Sequence, residues 1–150
     1  MAGSISFHSL SDSSPFLDTA SQWIFNEWSK DNGDSLDTIR EKLLVKDESP
    51  PSKVAVEGST PVGFVWISRF QRPEDLSPTL WINGLYVRES HRTCGIGCSL
   101  VQLAEKLSSD FEDELYAYTE IPEYYLGLGW GIHKGKDESG NAVVSRKLEK

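Results

Sequence analysis

One segment near residue 90 most constrains how this chain folds, because it changes from strand to glycine loop to helix within a few residues. Residues 79–87 are typical of a β-strand, a polar turn follows, and Gly95 and Gly97 precede apolar residues at helical spacing. Glycines at a helix start let backbone N–H groups converge on an anion, which the unpaired amides and the helix dipole favour. The segment indicates a phosphate-bearing ligand, with a plain tight turn as the alternative.

Two common phosphate-binding loops do not fit this segment. A P-loop needs Gly-Lys followed by Ser or Thr, whereas Gly97 is followed by Cys98. A dinucleotide-binding fingerprint places Gly or Ala where Leu100 stands, and only about 50 residues follow the loop, too few for the rest of a doubly wound sheet. Both alternatives are therefore rejected.

The remaining pattern predicts an α/β (α+β) domain. Residues 15–28 and 36–44 have helical spacing, and residues 53–57 and 61–69 read as a β-hairpin. Gly84, inside the strand over residues 79–87, indicates a bulge or a close backbone approach. Further along, we expect a helix that includes residues 100–107, a strand over 114–119, a short helix over 122–128 and a final hairpin from Gly129 with its turn at 137–141.

Size and composition limit the class of protein. A chain of 150 residues fits one domain, here predicted over residues 1–150. The apolar runs are too short to cross a bilayer and the first ten residues do not resemble a signal peptide, so we expect a cytoplasmic protein that does not insert into a membrane. Cys94 and Cys98 have no His cluster nearby, which favours reduced thiols and no metal site.

The net charge of −8 disfavours nucleic acid as a partner, because nucleic-acid binding depends on Lys and Arg that neutralise phosphates. The electrostatic field of a negatively charged protein suits a cationic small substrate better. This inference concerns long-range steering and solubility, and it does not describe the charge inside a pocket.

Two motifs resemble those of the GNAT superfamily of N-acetyltransferases. Arg92, Gly95 and Gly97 match motif A, and residues 124–130 look like motif B, an aromatic-Tyr pair closely followed by Gly and an aromatic residue. The order of the predicted elements is also that of the family, so the resemblance covers nearly the whole chain. Residues 72–87 resemble an uncharacterised bacterial branch of that family. The resemblance implies the GNAT fold, a mixed central sheet of about six to seven strands with helices on both faces.

The resemblance also implies acetyl-CoA as the acetyl donor. In the family, the amides of the motif A loop hold the CoA pyrophosphate and the preceding bulged strand pairs with the pantetheine arm. Carried over to this chain, the cofactor-binding residues are Leu85, Tyr86, Val87, Arg92, Thr93, Cys94, Gly95, Ile96, Gly97 and Cys98.

Candidate catalytic residues follow from the same comparison. Similarity to motif B nominates Tyr125 as the general acid that protonates the thiolate, with core packing as its alternative role. The backbone amide of Val87 is the candidate for polarising the thioester carbonyl. Glu120 is the nearest carboxylate for a general base, although a solvated loop residue is its simpler interpretation; His91 and His133 are weaker candidates.

The function implied is acetyl transfer by direct attack of an amine. No His is spaced to activate either cysteine, which disfavours an acyl-cysteine route. The expected acceptor is a small molecule or peptide, bound by a monomer or a homodimer, and tryptophans such as Trp66 and Trp81 either line its pocket or belong to the core. Two alternatives stay open: a catalytically inactive CoA-binding regulatory module of the same fold, and a purely structural interaction domain.

Overall fold

The computed structural model describes residues 4–11, 15–29, 33–44, 49–92 and 95–149. Within these residues, apart from the first strand and the end of the first helix, the chain forms strands and helices whose bounds agree closely with the predicted ones. The strands are β1 (Ile5–Ser9), β2 (Lys53–Glu57), β3 (Thr60–Gln71), β4 (Pro78–Val87), β5 (Glu114–Thr119), β6 (Gly131–Lys134) and β7 (Ala142–Lys147). The α-helices are α1 (Leu17–Ile24), α2 (Leu36–Leu44), α3 (Ile96–Ser108) and α4 (Pro122–Leu126).

All of these strands belong to one sheet, in the order β1-β2-β3-β4-β5-β7-β6. Neighbouring strands are antiparallel except β4 and β5, which run parallel. A parallel connection needs a crossover, and α3 supplies it between β4 and β5. The mixed sheet that the family resemblance implies is confirmed.

Helices cover both faces of the sheet, because alternate strand residues bury apolar side chains on opposite sides. On one face, α1 and α2 pack over β2 and β3 around Ile24, Ile39 and Phe64. On the other face, α3 packs against β3 and β4 around Leu100 and Val101. Among the described helices, none has the length and apolar character that a membrane crossing requires.

Two elements differ from the prediction. Strand β1 was not expected, since four of its five residues are exposed and its pattern carries no buried alternation; it forms by pairing with the edge of β2. The first helix was expected over residues 15–28, but α1 ends at Ile24 and continues as a π-helical turn over Phe25–Ser29. The caps considered for this helix, Ser13 and Ser14, lie outside the described residues.

The bulge expected at Gly84 is present. Trp66 of β3 lies opposite Gly84, whereas the next residue, Ile67, lies opposite Ile82. Asn83 is therefore an extra residue on β4, and such an insertion bends the strand locally. This bend precedes the segment that the sequence assigned to cofactor binding.

Candidate active site

The site lies where β4 and β5 separate. Their pairing is confined to Trp81 with Tyr116 and Ile82 with Ala117, although β4 continues to Val87 and β5 to Thr119. Past the bulge, β4 is hydrogen-bonded to β3 on one side only. The two parallel strands therefore leave an opening between their C-terminal ends, from which the chain continues into α3 and α4.

Backbone groups of β4 point into this opening. The Arg88 N–H donates to the Val62 carbonyl at 2.8 Å, which fixes which residues of β4 face β3. Because an antiparallel ladder alternates the direction of its backbone groups, Leu85 and Val87 direct their N–H and C=O groups the other way, toward β5. The side chains of Leu85 and Val87 pack on the α3 face of the sheet, and Tyr86 packs on the α1 face.

The start of α3 has the geometry of an anion site. Gly95 is the N-cap residue with φ of 84°, in the left-handed region, and it makes no side-chain cap. Among the described residues other than its chain neighbours, none lies within 4 Å of a Cβ placed on Gly95. The first amides of a helix have no partner within the helix, and they are the donors available to a ligand here.

The other loop residues have distinct environments. Ile96 is buried in the core, so its contribution to a ligand is restricted to the backbone, and Cys98 is half-buried in the first turn of α3. Arg92 Nε donates to the Val87 carbonyl at 2.8 Å, and its guanidinium lies 5.8 Å from the centroid of the Tyr86 ring. Arg92 therefore ties the loop to the end of β4. Thr93 and Cys94 lie outside the described residues.

The two tyrosines of α4 occupy different places. Tyr125 is 4% exposed and its ring packs in the core at 5.0 Å from Trp130, with burial raising its pKa. The Tyr124 hydroxyl instead lies over the first turn of α3, 2.6 Å from the position of a Cβ on Gly97. Burial, followed by the nearby Cys98, raises the pKa of Tyr124. Both phenols therefore keep their protons at neutral pH.

The candidate bases are spread over the molecule. Glu120 is exposed just past β5, at the end of the opening. His91 contacts Glu57 through Nε2 at 3.2 Å and Ser90 through Nδ1 at 2.8 Å, which ties the loop to β2. His133, on the edge strand β6, pairs with Glu74, and its ring packs edge to face on Tyr116 of β5 with the ring centroids 5.3 Å apart. Of the three, Glu120 is the one at the opening.

A cavity lies on the α1–α2 face, and most of the residues that line it were not predicted from the sequence. It has a volume of about 460 Å³ and is lined by Lys42, Ser49, Trp66, Ser68, Arg69, Phe70 and Asn83. Trp66 was one of the tryptophans proposed for a pocket. The others come from separate elements, and no local pattern marks them. Trp81 is buried against Tyr116, with ring centroids 5.1 Å apart.

Comparisons with known proteins agree with this geometry. A model of the acetyltransferase (GNAT) family matches residues 16–123, which is well over half of the chain. No curated protein matches the sequence significantly.

Several solved structures share the fold over nearly the full length of both chains. A chain of the NatC complex bound to Gag peptide and CoA has a TM-score of 0.72 and 19% identity, covering 97% of this chain and 99% of that chain. An aminoglycoside 6'-N-acetyltransferase complexed with coenzyme A has a TM-score of 0.72 and 18% identity, covering 97% of this chain and 98% of that chain. Naa50 from Arabidopsis thaliana, in complex with a bisubstrate analogue, has a TM-score of 0.70 and 18% identity, covering 97% of this chain and 99% of that chain. At these identities the likeness establishes the fold, and the predicted fold class is confirmed.

Proposed function

The chain belongs to the GNAT family of acetyltransferases, and from that membership we propose that it transfers an acetyl group from acetyl-CoA to the primary amine of a small molecule or peptide. The observation that carries this proposal is the N-terminus of α3 at Gly95, where no other described residue approaches the position of a Cβ, beside the opening between β4 and β5. Donors at a helix start suit a diphosphate, and strand backbone facing an opening suits the amides of a pantetheine arm.

The residues present fit CoA. The amides of Gly95, Ile96, Gly97 and Cys98 surround the helix start and would hold the diphosphate. Backbone groups of Leu85 would pair with the pantetheine arm on the side of β4 that lacks a strand partner, and the Val87 N–H would face the thioester end of the arm. Tyr86, Arg92, Thr93 and Cys94 complete the proposed binding segment. Acetyl-CoA would supply the activated acetyl group as a thioester.

The proposed reaction is direct attack by the amine. Its nitrogen forms a bond to the acetyl carbon as the carbon–sulfur bond breaks, a base takes the proton from nitrogen, and an acid returns a proton to sulfur. The Val87 N–H, directed into the opening, would stabilise the negative charge on the carbonyl oxygen. Glu120, reached directly or through a water molecule, is the proposed base.

Tyr125 is the proposed acid, as its place in motif B suggests. Its raised pKa suits a group that must be protonated at neutral pH. Tyr124 is a second candidate, because its hydroxyl lies next to the first turn of α3. Tyr124 and Tyr125 differ in burial. Removal of one hydroxyl at a time distinguishes which of them donates the proton.

A catalytically inactive CoA-binding module is the alternative function. Among the described residues, the part of β4 that follows the bulge carries no carboxylate, which leaves the base without a side chain on that strand. Calorimetric titration with acetyl-CoA, followed by thiol release with a panel of amines, tests both proposals. Binding with amine-dependent thiol release supports the enzyme, binding alone supports the regulatory module, and no binding overturns both.

We further propose that residues 1–150 act as one domain, since the described strands form a single sheet. The cytoplasmic location, the monomeric or homodimeric state and the relation of residues 72–87 to a bacterial branch of the family remain predictions from the sequence. Size-exclusion chromatography with light scattering tests the oligomeric state.

A further inference from the structure

Two exposed polar side chains flank the opening between β4 and β5. Asn83 of β4 and Tyr118 of β5 come directly after Ile82 and Ala117, the last residues that pair these strands. Ile82 and Ala117 belong to the core on the α3 face. Because successive side chains of a strand alternate between faces, Asn83 and Tyr118 lie on the α1 face, where both are exposed. We call the gap between them the mouth of the opening.

The mouth is the side from which an acceptor reaches the opening. On the opposite face, Leu85 and Val87 of β4 pack with Ile96 of α3 and Tyr125 of α4. These packed side chains lie behind the opening and exclude a ligand from that face. An acceptor amine therefore approaches the proposed thioester position through the mouth, on the α1 face.

The Asn83 side chain is held in place with its carbonyl oxygen available to a ligand. Its amide nitrogen donates to the Ser68 hydroxyl of β3. Among the described residues, no donor is bonded to the carboxamide oxygen. Such an oxygen has two lone pairs and accepts hydrogen bonds from N–H groups. Asn83 therefore presents a fixed acceptor at the point where the opening begins.

Tyr118 forms the opposite wall of the mouth. Its hydroxyl donates to the Asp137 carboxylate and lies 3.0 Å from the Ser139 hydroxyl, which ties the phenol to the turn between β6 and β7. The side chain is nevertheless 51% exposed, so its ring is available to a ligand in the mouth. The face of a tyrosine ring attracts a cation. The two walls together suit a cation that carries N–H donors.

We propose that Asn83 and Tyr118 bind and orient the acceptor as a primary ammonium group, which donates a hydrogen bond to the Asn83 carboxamide oxygen and packs against the Tyr118 ring. The proposal rests on the proposed acetyltransferase function and names residues that recognise its substrate. An ammonium group has three N–H donors, so it donates to Asn83 and still transfers a proton to Glu120, the proposed base, before the nitrogen attacks. A quaternary ammonium has the same charge but no N–H, and the mouth should not recognise it.

Binding at the mouth can be measured without turnover. The side-chain amide signals missing from the ¹H–¹⁵N spectrum of Asn83→Leu identify Asn83. Titration with n-butylammonium to millimolar concentration should shift these signals, and titration with n-butyltrimethylammonium should not. The amide signals of Gln102, which is exposed on α3 across the sheet, should move with neither cation. Equal shifts of the Asn83 signals with both cations, or no shift with either, would overturn the proposal.

Thiol release from acetyl-CoA with n-butylamine tests the same residues during turnover. Asn83→Leu should raise the KM for the amine at least about tenfold, as loss of one hydrogen bond to a charged group predicts, and leave the KM for acetyl-CoA unchanged. Asn83→Asp keeps an oxygen acceptor and should restore the amine KM. Tyr118→Leu should raise that KM, whereas Tyr118→Phe keeps the ring and should raise it less. Gln102→Leu is the control and should match the unsubstituted protein.

The two measurements separate this proposal from the proposed function. Amine-dependent thiol release with the same amine KM in Asn83→Leu would reject the role of Asn83 and keep the acetyltransferase. A shift of the Asn83 signals with n-butylammonium alone, in protein that fails to bind acetyl-CoA, would keep the amine site and reject the enzyme. If n-butylamine is not acetylated, the titrations with the two cations decide the proposal by themselves.

Discussion

The hydroxyl of Tyr124 lies where a side chain on Gly97 would begin. An ideal Cβ on Gly97 would be 2.6 Å from that oxygen, and 3.6 Å from both the Tyr124 ring carbon Cζ and Val87 Cγ2. Only the first of these distances is too short for a real contact. The second glycine of the loop therefore accommodates a tyrosine of α4, in addition to any role toward a ligand.

This contact predicts coupling between the two residues. Gly97→Ala should destabilise the protein by about 1 kcal/mol, because the Tyr124 hydroxyl must move away. In a Tyr124→Phe background the same change should be neutral or stabilising by up to about 1 kcal/mol, since alanine favours a helix and the clash is gone. Urea unfolding of the four proteins gives the coupling free energy. An equal effect of Gly97→Ala in both backgrounds would contradict the contact.

Gly95 offers a test of the anion site with a matched pair. Gly95→Asp and Gly95→Asn introduce side chains of the same size, and both residue types tolerate a positive φ better than most. We expect Gly95→Asp to weaken acetyl-CoA binding at least about 100-fold by repulsion of the diphosphate, and Gly95→Asn to weaken it much less. Calorimetry measures both affinities. Similar losses for the two variants would indicate a steric effect and would argue against an anion at this position.

The two tyrosines can be separated by removing one hydroxyl at a time. Tyr125→Phe should lower kcat by about 10-fold to 10⁴-fold with little change in acetyl-CoA affinity, as expected for loss of a general acid. Tyr124→Phe is its control and should retain most turnover. Because burial raises the pKa of Tyr125, its deprotonation should not reduce activity below about pH 10. The reverse pattern in kcat would assign the proton donor to Tyr124.

A further test concerns the turn between β6 and β7. A hydrogen bond from the Ser139 hydroxyl, at 2.6 Å, and a second from Tyr118 lower the pKa of Asp137 from about 3.8 to about 2. The ionised form is favoured in the folded protein, so its stabilising effect is present above pH 4 and is lost as the pH falls through about 2. NMR titration should give a higher pKa in Ser139→Ala, and a smaller increase in Tyr118→Phe. An unchanged pKa in both variants would exclude these bonds as its cause.

Much of the fold could be predicted from the sequence because its signals are local. The change from strand to glycine loop to helix, the bulge at Gly84 and the final hairpin each depend on residues close together in the chain. Strand β1 could not be predicted in this way. Its residues are largely exposed, and it becomes a strand because the edge of β2 supplies hydrogen bonds to it.

The chemistry of the site depended more on tertiary structure. Adjacent residues on a helix point about 100° apart, so the pair Tyr124 and Tyr125 does not reveal which hydroxyl faces the loop. Lys42, Trp66 and Asn83 come from three elements, and only folding places them around one cavity. The sequence determined the net charge of the chain, and it predicted the change from strand to glycine loop to helix that we propose for cofactor binding, because that change depends on residues close together in the chain. The tertiary structure decided which side chains surround the opening and the cavity, because that depends on contacts between residues far apart in the chain.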